Sequence, residues 1–274
     1  MVGIKILGQL GNHMFQYAFI YAVSKKLNTS FFIKYGSGKQ QIPRLPEYFY
    51  LKNDSFFKNY FFSKLFSVKN KINLNSHSQP ENELIKLEDN TIYEGFAQSE
   101  KYFSFIDLNV HEIFRIKNKY IRRFNQKYQS LFQNNKILVV HIRRGDYENS
   151  GANFLGGLDI RLPLDYYHHA LNQIKDINDY KIIFISNEID YCRKHFNHYK
   201  NCLFESNPEI IDLQLIINAD AAVISNSTFA WWGAYLNKKK HKLIYSPNYW
   251  LGFRVKNEFP VGITSIKGWT WLEV

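Results

Sequence analysis

Two adjacent arginines at positions 143 and 144 follow directly on an apolar run. The stretch reads Ile137-Leu138-Val139-Val140, then His141-Ile142-Arg143-Arg144-Gly145-Asp146-Tyr147. The run has the composition of a strand buried on both faces, and such strands carry ligands at their carboxyl ends in open α/β sheets. Two guanidiniums fixed there suit a bidentate anion, above all a diphosphate. The plain alternative is a salt-bridged loop, and these residues alone do not decide between the two. Asp146 could orient one arginine or accept a proton, and His141 could contact a base or a ribose.

Three further groups could share that chemistry. Gly8-Gln9-Leu10-Gly11-Asn12 follows an apolar segment and precedes a helical one. Glycines there let backbone approach a ligand, and the helix that follows offers unpaired N–H groups. The pattern is neither a phosphate-binding loop with Gly-Lys-Ser/Thr nor a full dinucleotide fingerprint. Ser225-Asn226-Ser227-Thr228 stands between a strand and the helix Phe229 to Leu236, which makes it an anion or nucleotide seat, or an ordinary helix cap. In Trp231-Trp232 the two rings point to different helix faces, so one of them is expected in a cleft. Asp212, on a helix ahead of the same strand, matters only if it faces a nucleotide. The chain contains no Asp-x-Asp triplet and no His or Cys cluster at metal-ligand spacing, so a bound diphosphate is expected to be neutralised without a metal. No Gly-x-Ser-x-Gly elbow or Cys-His arrangement points to a hydrolase.

The elements needed to hold these groups are α/β. The first is a strand Gly3 to Leu7, then the glycine turn, then a helix Met14 to Leu27 that is apolar nearly all round and therefore buried. Phe31 to Tyr35 and Thr91 to Phe96 read as strands, with residues 36 to 90 irregular or in short helices. Helical turns are expected around Glu100 to Phe103, and Lys117 to Gln133 is a basic amphipathic helix between two halves. The second half alternates strands (Ile137 to Val140, Ile182 to Ile185, Ala221 to Ile224, Leu243 to Tyr245) with helices opened by Pro163, by Ser186 or Asn187, and by Asn207-Pro208. Such alternation implies mostly parallel sheets, here in two α/β domains facing a cleft.

The 274 residues suffice for two medium domains. A formal charge of +11 favours anionic partners without choosing among nucleic acid, acidic lipid and phosphorylated small molecules. The charge is dispersed, with Lys238-Lys239-Lys240 the only triple, which argues against a nucleic-acid-binding protein. Cys192 and Cys202 fit neither a zinc site nor a disulfide scaffold and are read as reduced thiols of a cytoplasmic protein. No apolar stretch approaches the roughly 18 residues of a membrane span, so membrane contact would be peripheral.

Three long motifs in register resemble the α-1,2-fucosyltransferases of glycosyltransferase family 11: Gly8 to Ala18, His141 to Tyr147, and Ser225 to Ala234. Gly95 to Phe103 is similar to another family segment. Departures are small: Gln9 stands where a second Gly is usual, and His13 where Gln is usual. The resemblance implies a GT-B-like pair of Rossmann-like domains, an acceptor-side domain at 1–125 and a GDP-fucose-binding domain at 126–274, with the extreme C-terminus packing back on the first. It implies inverting, metal-independent transfer of L-fucose from GDP-fucose to the 2-OH of a galactose residue. Arg143 and Arg144 would hold the pyrophosphate, and His141 and Asp212 the guanosine. Ser227 and Thr228, with Asn226 beside them, would serve the β-phosphate, and Gly11 and Asn12 would reach the donor from the opposite domain. Asp146 is the first candidate for the base and Glu148 the second. The expected setting is bacterial O-antigen or capsule synthesis in the cytoplasm, with GDP-fucose and a galactose-terminated glycan, free or lipid-linked, as partners. The competing readings are a transferase for another nucleotide sugar and a non-catalytic glycan-binding protein on the same fold.

Overall fold

The computed structural model describes residues 1–35, 44–52, 70–74, 77 and 87–274. Most of the stretch read as irregular, 36 to 90, lies outside them. Contacts divide the chain into two units: Met1–Lys117 with Pro260–Ser265, and Asn118–Phe259 with Ile266–Val274. The division falls before the amphipathic helix, not within it, and the tail is shared: only Pro260–Ser265 goes with the first unit.

The first unit has a parallel sheet in the order β2-β1-β4-β3, with β1 Val2–Ile6, β2 Phe31–Tyr35, β3 Asn70–Asn73 and β4 Thr91–Glu94. Helix α1, Leu10–Lys26, is buried on almost every side, as its mostly apolar composition requires. It begins earlier than expected. Gly8 (φ +82) makes the whole turn, and extended Gln9 is the N-cap, so Gly11 and Asn12 belong to the first helical turn. Short helices α2 (Arg44–Tyr48) and α3 (Val110–Ile113) complete the described part. Fully buried Gln16 spans the carboxyl ends of β1 and β4: its Oε1 accepts from Leu7 N at 3.1 Å and its Nε2 donates to Gly95 O at 2.9 Å. β3 has no buried residue, which is why its hydropathy gave no strand signal.

The second unit is a six-stranded parallel sheet in the order β10-β9-β8-β5-β6-β7. Its strands are β5 Lys136–Ile142, β6 Tyr180–Ser186, β7 Cys202–Glu205, β8 Ala221–Val223, β9 Leu243–Pro247 and β10 Thr270–Leu272. Its helices are α4 Asn118–Asn134, α5 Leu164–Asn172, α6 Ile189–Phe196, α7 Glu209–Asn218 and α8 Thr228–Tyr235. α4 buries only Phe124 and Tyr128, one turn apart, and Gln214 of α7 donates to its Tyr120 carbonyl at 3.3 Å. β7 and β10 are short and lack alternation, and the sequence reading missed both. From central β5 the chain steps to β6 and β7 on one side, then returns to β8, β9 and β10 on the other. The strand order therefore reverses between β5 and β8, the position where parallel sheets bind ligands.

Residues 137–142 are buried without a break, so β5 runs two residues further than Val140 and includes His141. Trp231 and Trp232 are both fully buried, edge to face at 5.1 Å, and Trp231 stacks on Tyr235 at 4.6 Å. Neither ring reaches the surface: residues 230–234 of α8 are buried, and only Thr228, Phe229 and Tyr235 are partly exposed. Gly233 lets α8 approach α7, since a Cβ there would stand 2.7 Å from Ile216 Cβ. Gly233→Ala should therefore cost about 1–3 kcal/mol through overpacking, read as a lowered melting temperature, and an unchanged melt would contradict this close approach.

Candidate active site

The neighbouring ends of β5 and β8 gather most of the expected residues. Val140 pairs with Val223 as β8 ends, and His141, one step on, is buried with its Nδ1 2.9 Å from Ser225 Oγ. Burial first, and the charge of Arg143 second, push the His141 imidazole down to about 3. It is thus a neutral group, able to donate or accept at the end of the strand.

After Lys136 at the start of β5, charge appears again only where the strand ends. The Arg143 guanidinium donates to the Asp146 carboxylate at 2.9 Å and lies 5.5 Å from the Tyr147 ring centre. Arg144 donates through Nε to Glu188 at 3.2 Å and lies over the Tyr191 ring at 3.6 Å. Asn187 holds the Arg144 backbone from both sides: Arg144 N donates to its Oδ1 at 2.9 Å, and its Nδ2 donates to Arg144 O at 3.2 Å. Gly145 (φ +57) is required where the loop turns, because a Cβ there would stand 2.6 Å from Asn187 Nδ2. Ser186 or Asn187 was expected to be a helix cap. Asn187 clamps the arginine loop instead, while Ser186 ends β6, its Oγ accepting from Glu188 N at 2.9 Å, and Glu188 takes the N-cap position of α6. Glu188 and Tyr191 gave no sequence signal, since their partner lies more than forty positions away.

Beside this loop, Asn226 is almost fully buried and donates from Nδ2 to Ile160 O at 2.9 Å, while its Oδ1 has no hydrogen-bond partner. Tyr147 donates through its hydroxyl to Asn226 O at 3.2 Å, tying the arginine loop to the β8 end. Burial pushes that phenol up to about 12. Ser227 is the N-cap of α8, but its hydroxyl does not cap the helix, and Thr228 is the first helical residue. The leading N–H groups of a helix lack intrahelical partners and favour anions.

Asp212 stands in the first turn of α7, just past the carboxyl end of β7. It accepts from Asn207 Nδ2 at 2.9 Å, and burial raises its carboxyl to about 7. Asn207 and Glu205 also take hydrogen bonds from Lys127 and Tyr128 of α4. Both candidate bases are engaged by arginines, Asp146 by Arg143 and Glu148 by Arg161 at 3.2 Å. Gly11 and Asn12 belong to the first unit. Asn12 lies close over Gly8 and accepts from Gln98 Nε2 at 2.8 Å. His13 is buried, which pushes its imidazole down to about 4. No group of His, Cys, Asp and Glu among the described residues could hold a metal ion.

Two Rossmann-like units with parallel sheets, one of them ending its central strand in a pair of arginines at the switch point, define a GT-B-like glycosyltransferase. The profile of glycosyl transferase family 11 matches residues 1–261, and the chain belongs to that family. An alpha-1,2-colitosyltransferase of Escherichia coli is 28% identical over 287 residues, covering 94% of this chain and 95% of that protein. The O-antigen biosynthesis glycosyltransferase WbnK of Escherichia coli is 33% identical over 132 residues, 46% of this chain and 43% of that one. Among solved structures, the alpha-1,6-fucosyltransferase NodZ of Bradyrhizobium, co-crystallized with GDP, shares the fold. Its TM-score is 0.55 at 14% identity, over 86% of this chain and 92% of that one.

Two predictions come from this geometry. Asn187→Ala frees the backbone of Arg144 and should lower the rate of glycosyl transfer about 10-fold to 100-fold, as small misplacements of reacting groups do. Its melting temperature should stay near the wild-type value, and an unchanged rate would sink the clamp. Asp212, raised from an ordinary 3.8 to about 7, keeps a proton in the folded protein that the unfolded chain gives up. Its contribution to stability is therefore present below about pH 4 and is lost as pH rises towards 7. Asp212→Asn should flatten that fall, so the gain in melting temperature over wild type should be larger at pH 8 than at pH 4.

Proposed function

We propose that the protein transfers L-fucose from GDP-fucose to the 2-hydroxyl of a galactose residue with inversion at the anomeric carbon. The observation that carries this reading is the pair Arg143 and Arg144 at the β5 end, beside the start of α8. Breaking the glycosyl bond loads negative charge onto the departing GDP and leaves oxocarbenium character on the sugar. Two guanidiniums and a helix N-terminus aimed at the diphosphate stabilise that charge as it grows. In the same reading His141 and Asp212 meet the guanosine, and Asn226, Ser227 and Thr228 serve the β-phosphate. Gly11 and Asn12 act from the first unit. Guanine presents N–H donors, so Asp212 reads it as the carboxylate, and GDP affinity should weaken as pH falls below about 7.

Asp146 takes the proton from the acceptor hydroxyl, with Glu148 the second choice. Either must release its arginine to do so, and binding of a diphosphate to Arg143 is what would release Asp146. The reaction requires no metal. The acceptor is the galactose end of a bacterial surface polysaccharide under construction, O-antigen or capsule, on a lipid carrier at the cytoplasmic face of the membrane. No helix among the described residues is long and apolar enough to cross a membrane, so attachment would be peripheral.

A second reading is favoured by the relative that aligns along nearly the full chain and is named for colitose. Colitose is fucose without its 3-hydroxyl, so the same diphosphate chemistry serves both donors. Calorimetry with GDP, UDP and CDP in the presence of chelator should give tight binding to GDP alone. Turnover of GDP-fucose against GDP-colitose, with N-acetyllactosamine as acceptor and mass spectrometry of the product, then decides the sugar. Arg143→Ala and Arg144→Ala should each fold and lose about 10²–10³ in kcat, the usual effect of deleting one transition-state donor. Near-native turnover in either variant, or abolition of wild-type turnover by chelator, would overturn the proposal.

A further inference from the structure

Among the described residues six large apolar side chains are well exposed, and three of them lie on two segments in contact with each other. Phe154, Leu158 and Val255 are 52%, 57% and 44% exposed. Phe154 and Leu158 lie on the loop that follows the arginines, and Val255 lies on the 253–259 segment packed against it. Phe154 meets Phe259 edge to face at 5.0 Å, and a Cβ on Gly156 would stand 3.2 Å from Val255 Cγ1. All these residues belong to the second unit.

The loop is short and held at every turn. Gly151 N donates to Leu158 O at 2.7 Å, and Gly156 turns the chain at φ +87. Its roots are hydrogen-bonded to the arginine loop itself: Ser150 Oγ donates to Asp146 O at 2.5 Å, and Ile160 N to Tyr147 O at 3.0 Å. Asn226, at the β8 end, fixes Ile160 O. Beside the apolar patch lie four charged side chains in a balanced set. Arg161 holds both carboxylate oxygens of Asp159 at 2.9 Å and reaches Glu148 at 3.2 Å. Arg254 donates to Asp159 O at 2.8 Å.

We propose that this patch is an acceptor-glycan subsite, in which Phe154 carries the apolar face of a sugar ring and the Asp159–Arg161–Glu148–Arg254 set binds its hydroxyls. A pyranose has a C–H face that rests on an aromatic ring and a hydroxyl edge that needs fixed polar groups. Two acids against two bases leave the rim without net charge, which suits an uncharged glycan and not an anionic lipid or a nucleic acid. Exposed apolar groups clustered on a rigid loop mark an interaction site, and this loop is built onto the segment that bears Arg143 and Arg144. The inference rests on the glycosyl-transfer reading of that segment and adds an acceptor subsite on the second unit to the acceptor-side role that the resemblance implied for the first.

The test is steady-state kinetics with GDP-fucose and N-acetyllactosamine. Phe154→Ala should raise the KM for N-acetyllactosamine about tenfold, with the KM for GDP-fucose and the Kd for GDP unchanged. Phe154→Trp should retain the wild-type KM. Leu243→Ala, a comparably exposed apolar residue at the amino end of β9, should have no effect. An unchanged acceptor KM in Phe154→Ala, with wild-type transfer and GDP binding intact, overturns the subsite alone. So does a change of oligomeric state on size exclusion with the KM unaltered, which would assign the patch to a second copy. Failure of the wild type to bind GDP, or to transfer to N-acetyllactosamine at all, defeats the proposed function itself.

Discussion

A strand covered on both faces and flanked by parallel neighbours cannot carry charge until it ends. β5 obeys this constraint from Ile137 through Ile142, and in the proposed reading the diphosphate site is arranged around its final residues. The last polar group still inside, His141, is kept neutral by burial and satisfied by Ser225. The first two residues outside are the arginines. Because β8 leaves β5 on the side away from β6, the loops after β5 and β8 rise next to each other with no crossing chain between them. An anion placed there meets two guanidiniums from one loop and a helix start from the other.

The arginines are not left to search for their geometry. Asp146 and Glu188 are 44% and 41% exposed, so their ion pairs contribute only about 0–1 kcal/mol each. In the proposed reading a diphosphate would offer both guanidiniums more charge, and the displaced carboxylates would remain near water. The carboxylates thus orient the cations at small cost without competing strongly for them. Tyr191 under Arg144 and the double hydrogen bond from Asn187 hold what the ion pairs alone would not.

Much of this was legible in the sequence because it was local. The Arg-Arg-Gly-Asp stretch after an apolar run, and the strand–helix alternation around it, gave the parallel sheet and the loop of greatest interest. The resemblance carried by three motifs gave the family. What remained hidden depended on partners distant in the chain. Asn187 reads as a helix cap when seen alone, and only the register of β6 beside β5 turns it towards Arg144. Trp231 and Trp232 suggested an opening because adjacent helical residues face apart, but both rings are fully buried. β3 exposes nearly all its side chains, and β7 and β10 are too short to alternate, so hydropathy was silent. The exposure of Phe154 cannot be told from its type, which composition assigns to the core.

The ownership of the tail bears on how the chain matures. Pro260–Ser265 belongs with the first unit, where the buried Ser99 hydroxyl donates to Gly262 O at 2.9 Å. Ile266–Val274 returns to the second, where β10 adds the edge strand beside β9. A ribosome delivers the sheet of the first unit 163 residues and more before the residue that satisfies Ser99. The first unit therefore gains its last segment only after the whole sheet of the second, up to β9, has been made. Shuffling halves between relatives by a single exchange at Lys117 would likewise give the first unit a foreign Pro260–Ser265.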